Sequence, residues 1–201
     1  MRALLASLLA VVFAAALAAS CGAATVASAG CAPAGAQVKI SDRRAQVYAL
    51  QKAIYACDRR TRRTTKLGEA TTCIATSQVE RLALAADVVA YGLERCGVDT
   101  GSTSILVRRL SDGKQLRNLS AITGPGLVES FQSIDSLVVT PKGAVAWIAT
   151  DSSVVAHGKR IEVHANRRLL DSGPSIVSSS LRLHGSKLTW RNGARMRTAT
   201  I

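Results

Sequence analysis

Few residues in this sequence could do chemistry, and their spacing limits what that chemistry could be. The histidines are His157, His164 and His184. None has the short, paired spacing of metal ligands, and His164 and His184 alternate with apolar neighbours, which predicts strand positions facing solvent. "SDGK" from Ser111 to Lys114 matches the S-x-x-K pattern of serine acylases, but the partner motifs S-D-N and K-T-G are missing. Asp112-Gly113 within it is explained as a hairpin turn. Asp135, Asp151 and Asp171 lie far apart in sequence, so they assign no carboxylate pair. Nucleophile-elbow, zincin, P-loop and dinucleotide patterns do not occur. The sequence therefore assigns no catalytic residue, metal or cofactor. An enzymatic reading, such as a hydrolase on a repeat scaffold, would rest on analogy between folds.

The five cysteines, Cys21, Cys31, Cys57, Cys73 and Cys96, are separated by 10, 26, 16 and 23 residues. Zinc sites need closer pairs, so disulfides are the expected use. Arg2 followed by the apolar run Ala3 to Ala19 and then small residues has the layout of a cleaved secretory signal over residues 1–29. Cleavage after Ala29 leaves an even set of four cysteines, as an oxidising compartment favours. Leu17-Ala18-Ala19-Ser20-Cys21 offers a loose alternative, a bacterial lipobox whose Cys21 would carry lipid. Four cysteines allow three connectivities. Cys57–Cys73 with Cys31–Cys96 is the expected choice, because the first closes a loop of about 15 residues worth about 3 kcal/mol. The chain is thus expected to be secreted or attached to a bacterial envelope, with membrane contact only through a signal or lipid anchor.

"CDRRTRRTTKLGEATTC" places Arg59, Arg60, Arg62 and Arg63 in one short segment. This is expected to be an exposed basic hairpin and a candidate anion-binding site. The whole chain carries 26 Lys and Arg against 13 Asp and Glu, a formal charge of +13. Such a balance attracts polyanions without regard to sequence. The other arginines are scattered along the chain, which favours a generally solvated basic surface over a dedicated site. Aromatic residues make up only 3%, too few for base-stacking platforms, so specific nucleic-acid binding is not expected.

The elements that must position these residues are strands. "RIEVHA" sets Ile161, Val163 and Ala165 against Arg160, Glu162 and His164, and "SLRLHG" and "KLTWRNG" alternate in the same way. A period of two marks antiparallel strands with one face buried. Asp112-Gly113, Lys142-Gly143, Gly185-Ser186 and Asn192-Gly193 supply turns between them. Three segments share one plan, "LALAADVVAY", "LVVTPKGAVAW" and "LRLHGSKLTW". Each has a leucine, a turn, and a rising strand that ends in an aromatic, here Tyr91, Trp147 or Trp190. "VYALQKAIYAC" is a degenerate copy ending near Tyr55. The mean spacing of these aromatics, about 45 residues, is that of propeller blades.

This plan resembles the TolB-like β-propeller repeats of exported bacterial proteins. The resemblance implies an all-β fold of about four antiparallel, four-stranded units over residues 45–201, preceded by a linker at 30–44. It also suggests that Ala45 to Leu50 could complete the final unit and hide its edge. A β-sandwich of the same hairpins is the alternative. The expected function is non-enzymatic binding of an envelope or extracellular partner, with sequence-independent binding of an anionic polymer as the alternative.

Overall fold

The computed structural model describes residues 31–201 except 71–76, 97–100, 125, 128, 154, 156 and 157. The expected signal, the lipobox Cys21, Cys73 and His157 lie outside the described residues. Those residues contain strands and no helix, so the all-β expectation holds. The strands fall into four consecutive meanders, in each of which every strand pairs antiparallel with the next. The first comprises β1 (Gln37–Ser41), β2 (Ala45–Leu50), β3 (Ala53–Asp58) and β4 (Thr64–Glu69). β5 (Ser77–Ala85), β6 (Val88–Cys96), β7 (Gly101–Arg109) and β8 (Gln115–Ser120) form the second. The third comprises β9 (Ser130–Val139), β10 (Val145–Ser153), β11 (Lys159–Ala165) and β12 (Arg168–Ser172). Only three strands, β13 (Arg182–His184), β14 (Lys187–Asn192) and β15 (Arg195–Thr200), make the fourth. Single parallel pairs, Glu69 with Gln78 and Gly101 with Phe131, join the first three meanders into one twelve-stranded sheet.

The core consists of three apolar layers, one between each pair of successive meanders. Val47, Ile54 and Ala56 of the first meet Val89, Tyr91 and Leu106 of the second. Val88, Ala90, Ile105 and Val107 on the other side of the second meet Trp147 and Val145. Ala146, Ile148 and Val163 then meet Leu188 and Trp190. The second and third meanders are therefore buried on both faces. This explains why "VVAY" at 88–91 and "VAWIAT" at 145–150 are nearly continuous apolar runs, buried throughout.

The aromatics take equivalent places. Tyr91 sits in the second strand of its meander opposite Leu82 of the first, and packs toward the preceding unit. Trp147 sits opposite Leu137 and also packs back on the preceding unit, as Trp190 does from β14. In the first meander this place belongs to Tyr48, opposite Val38, and not to Tyr55. Tyr55 is the neighbour of Tyr48 across β2 and β3, and the two rings stack with centroids 5.6 Å apart. The misplacement follows from taking residues 30–44 as a linker. Residues 37–41 are in fact a strand, which shifts the numbering of the first unit by one.

Two further expectations are corrected. β2, formed by Ala45–Leu50, pairs inside its own meander, so it does not complete the last one. Cys57 bonds to Cys31, which excludes both Cys57–Cys73 and Cys31–Cys96. Cys57 is buried near the end of β3, level with Gln46 of β2 and, beyond it, Ser41 at the end of β1. Cys96 is disulfide-bonded as well.

Candidate functional site: a basic rim

All four meanders run in the same sense, so the turns from first to second strand and from third to fourth strand gather at one end of the molecule. Hydrogen bonds between turns fix this alignment. Within the first meander, Arg59 N–H donates to the Arg44 carbonyl at 2.7 Å and its guanidinium to Ser41 Oγ at 2.6 Å. The Arg63 guanidinium lies over Gly113 in the turn between β7 and β8, where a Cβ would come within 2.6 Å of Arg63 Nη2. Arg117 Nε donates to the Gly143 carbonyl at 2.9 Å, linking the second meander to the turn between β9 and β10.

This end is strongly basic. Arg43 and Arg44 lie in the first turn and Arg59, Arg60, Arg62 and Arg63 in the second. Arg109 and Lys114 bracket the turn that contains Gly113. Lys142, Arg167, Arg168 and Lys187 continue the series along the third and fourth meanders. Twelve cations thus share the rim with four acids, Asp42, Asp58, Asp87 and Asp112. At the opposite end nine cations, Lys39, Lys52, Arg95, Lys159, Arg160, Arg182, Arg191, Arg195 and Arg197, share the strand ends and turns with five acids, Glu69, Glu94, Glu129, Asp151 and Asp171, among the described residues. Scatter in sequence has become concentration in space, because cations placed in turns of alternating strands all come to the same edge.

The four acids organise turns. Asp42 Oδ1 accepts from the N–H groups of Arg44 and Ala45 at 2.7 and 2.8 Å. Asp58, fully buried, accepts from those of Arg60 and Thr61, both at 2.8 Å, and so shapes the arginine hairpin. Ser111 Oγ donates to Asp87 at 2.6 Å. The Lys114 N–H donates to Asp112, and this bond, helped by Arg109 at 3.2 Å, lowers the Asp112 pKa. Ser111 and Lys114 of the S-x-x-K pattern are therefore parts of a turn. Their bonding matches a hairpin and not an acylation site.

A second cluster of ionisable groups is buried inside. Asp151, Glu162 and His164 are almost fully buried, and Arg160 pairs with Asp151 at 3.1 Å and Glu162 at 3.5 Å. His164 was expected at a solvent face. It is 4% exposed, stacked on Trp147 at 4.8 Å and bonded to Glu162 Oε2 at 2.8 Å. The alternation in "RIEVHA" was sound, but both faces of β11 are covered, one by each neighbouring unit or its loop. Burial lowers the His164 pKa, Glu162 raises it back in part, and Arg160 lowers it further, which favours the neutral ring. Glu162 also accepts from the Thr123 N–H and Asp151 from the Leu127 N–H, both at 2.9 Å, while Trp147 Nε1 donates to the Ala121 carbonyl at 2.8 Å. The cluster thus straps the connection between β8 and β9 to the third meander.

His184 is exposed. Asp135 binds Thr150, and Asp171 binds Trp190 and Asn192. Among the described residues no group of three metal-binding side chains is found. Tyr48 and Glu80 were missed in the sequence. Glu80 accepts from the Ile134 N–H at 2.8 Å and ties the first strands of the second and third meanders together. Burial, the largest influence on it, raises its pKa. No protein-family model matches the chain, and no curated protein is significantly similar to it in sequence.

Proposed function

We propose that this is a non-enzymatic, exported β-repeat protein that holds an anionic polymer along its basic rim, without sequence preference. The observation that carries this reading is the excess of twelve cations over four acids at one end, a ratio of three to one, against nine to five at the other. Cations at this density release counterions from a polyanion, which supplies affinity without base or sugar recognition. Nine of the twelve are arginines, whose planar forks pair with phosphate, sulfate or carboxylate groups. The turns on this rim contain no aromatic residue, consistent with binding through charge and not through stacking.

The arrangement is read as propeller-like, in keeping with the TolB-like resemblance. The first strands of all four meanders border one cavity, and each unit packs on the next through a shared apolar layer. The Cys31–Cys57 bond supports an oxidising compartment outside the cytoplasm. Retention on immobilised heparin tests the function. Elution should move to much lower salt when Arg59, Arg60, Arg62 and Arg63 are replaced by serine, and unchanged elution would remove the rim as the site.

A further inference from the structure

We propose that the cavity at the centre of the arc binds a small amphiphilic anion, an apolar body carrying one carboxylate, independently of the rim. β1, β5, β9 and β13, each the first strand of its meander, border a space of about 560 Å³. Ligand pockets run from about 300 to 1,000 Å³ and combine apolar walls with a few converging polar groups. The apolar wall here comes from Ile40, Leu82, Leu84, Leu137 and Leu183.

Two cations project from this wall, Arg81 of β5 and Arg182 of β13. Arg81 Nε donates to the Ile134 carbonyl at 3.1 Å, and Arg182 Nη1 to those of Ser179 and Leu181 at 2.9 and 2.8 Å. Main-chain oxygens thus hold one side of each guanidinium and leave its other N–H donors for a ligand. Neither arginine pairs with a carboxylate of the described residues. The one acid in the lining, Asp135, is engaged by Thr150 Oγ1 at 2.6 Å. Two cations and one acid leave one positive charge, which a monoanion neutralises, and the guanidinium fork fits a carboxylate. A polyanion would bring more charge than these two arginines can meet.

Titration of decanoate into the full chain below its micelle concentration, followed by calorimetry, tests the site. One saturable site per chain is expected, weakened about tenfold or more in Arg81→Gln/Arg182→Gln. Affinity should be unchanged when the four rim arginines are replaced by serine. Because Arg81 also ties β5 to β9, Leu183→Trp provides a second variant that fills the cavity and keeps both arginines. It too should abolish saturable binding. Equal binding of decyltrimethylammonium, many weak sites in place of one, or affinity untouched by both cavity variants would overturn the proposal.

Discussion

Replacing Arg59, Arg60, Arg62 and Arg63 with serine should change how binding depends on salt, and the structure sets the size of the change. The first two meanders bring Arg43, Arg44, Arg109 and Lys114 to the same stretch of rim as those four arginines. With a short labelled DNA duplex as a generic polyanion, each neutralised phosphate contributes about 0.9 to the slope of log affinity against log salt. Eight contacts therefore give a slope of about −7, and the serine variant, keeping four, about −3.6. Between about 0.1 and 0.2 M salt the native chain should lose roughly 150-fold in affinity and the variant only about 12-fold. Fluorescence anisotropy at several salt concentrations measures both slopes. Duplexes of unrelated sequence should give the same values. The fold should survive, because Asp58 holds the hairpin through main-chain N–H groups. Equal slopes for the two proteins, or a native slope near zero, would refute the reasoning.

Three other changes probe the framework. Gly113→Ala meets a positive φ of 73° and a guanidinium within 2.6 Å, so it should cost about 1–2 kcal/mol in denaturant unfolding and displace Arg63 from the rim. Replacing Cys31 and Cys57 together with serine reopens a loop of 26 residues. It should lower unfolding free energy by about 3.5 kcal/mol, provided the unfolded chain gains the released entropy. His164, with Glu162, Arg160 and Trp147 around it, has a pKa below its ordinary 6.5. Its contribution to stability is therefore complete above pH 6.5 and is lost as pH falls from there toward the folded pKa, by at most about 1.4 kcal/mol per pH unit. His164→Phe keeps the stack on Trp147 and should flatten that part of the stability profile.

The strands were legible where one face is buried or where glycine marks a turn. Gly113, Gly143, Gly185 and Gly193 all adopt positive φ at expected turns. Turns made by Ala86, Asn166 and Gln51, also at positive φ, carry weaker signals, and the first unit was shifted by one strand because Gln37–Ser41 falls in a segment that reads as a linker. His164 was misplaced because alternation reports two faces but not whether a neighbouring sheet covers the second. The arginine hairpin was visible as a sequence cluster. Its extension through Arg43, Arg44, Arg109, Lys114, Lys142, Arg167, Arg168 and Lys187 was not, since strands of 3 to 10 residues separate turns that meet only after folding. The Cys31–Cys57 pairing was not legible, because it depends on where the short segment before β1 runs after folding, which cysteine spacing does not report.

Hydrogen exchange with and without a saturating polyanion tests the rim most directly. Slowed exchange should be confined to the turns at 42–44, 59–63, 110–114, 140–144 and 166–167. The turns of the opposite end, at 51–52 and 193–194, should exchange at their free rates. Protection centred on the opposite end, or spread evenly over both, would contradict a dedicated binding edge.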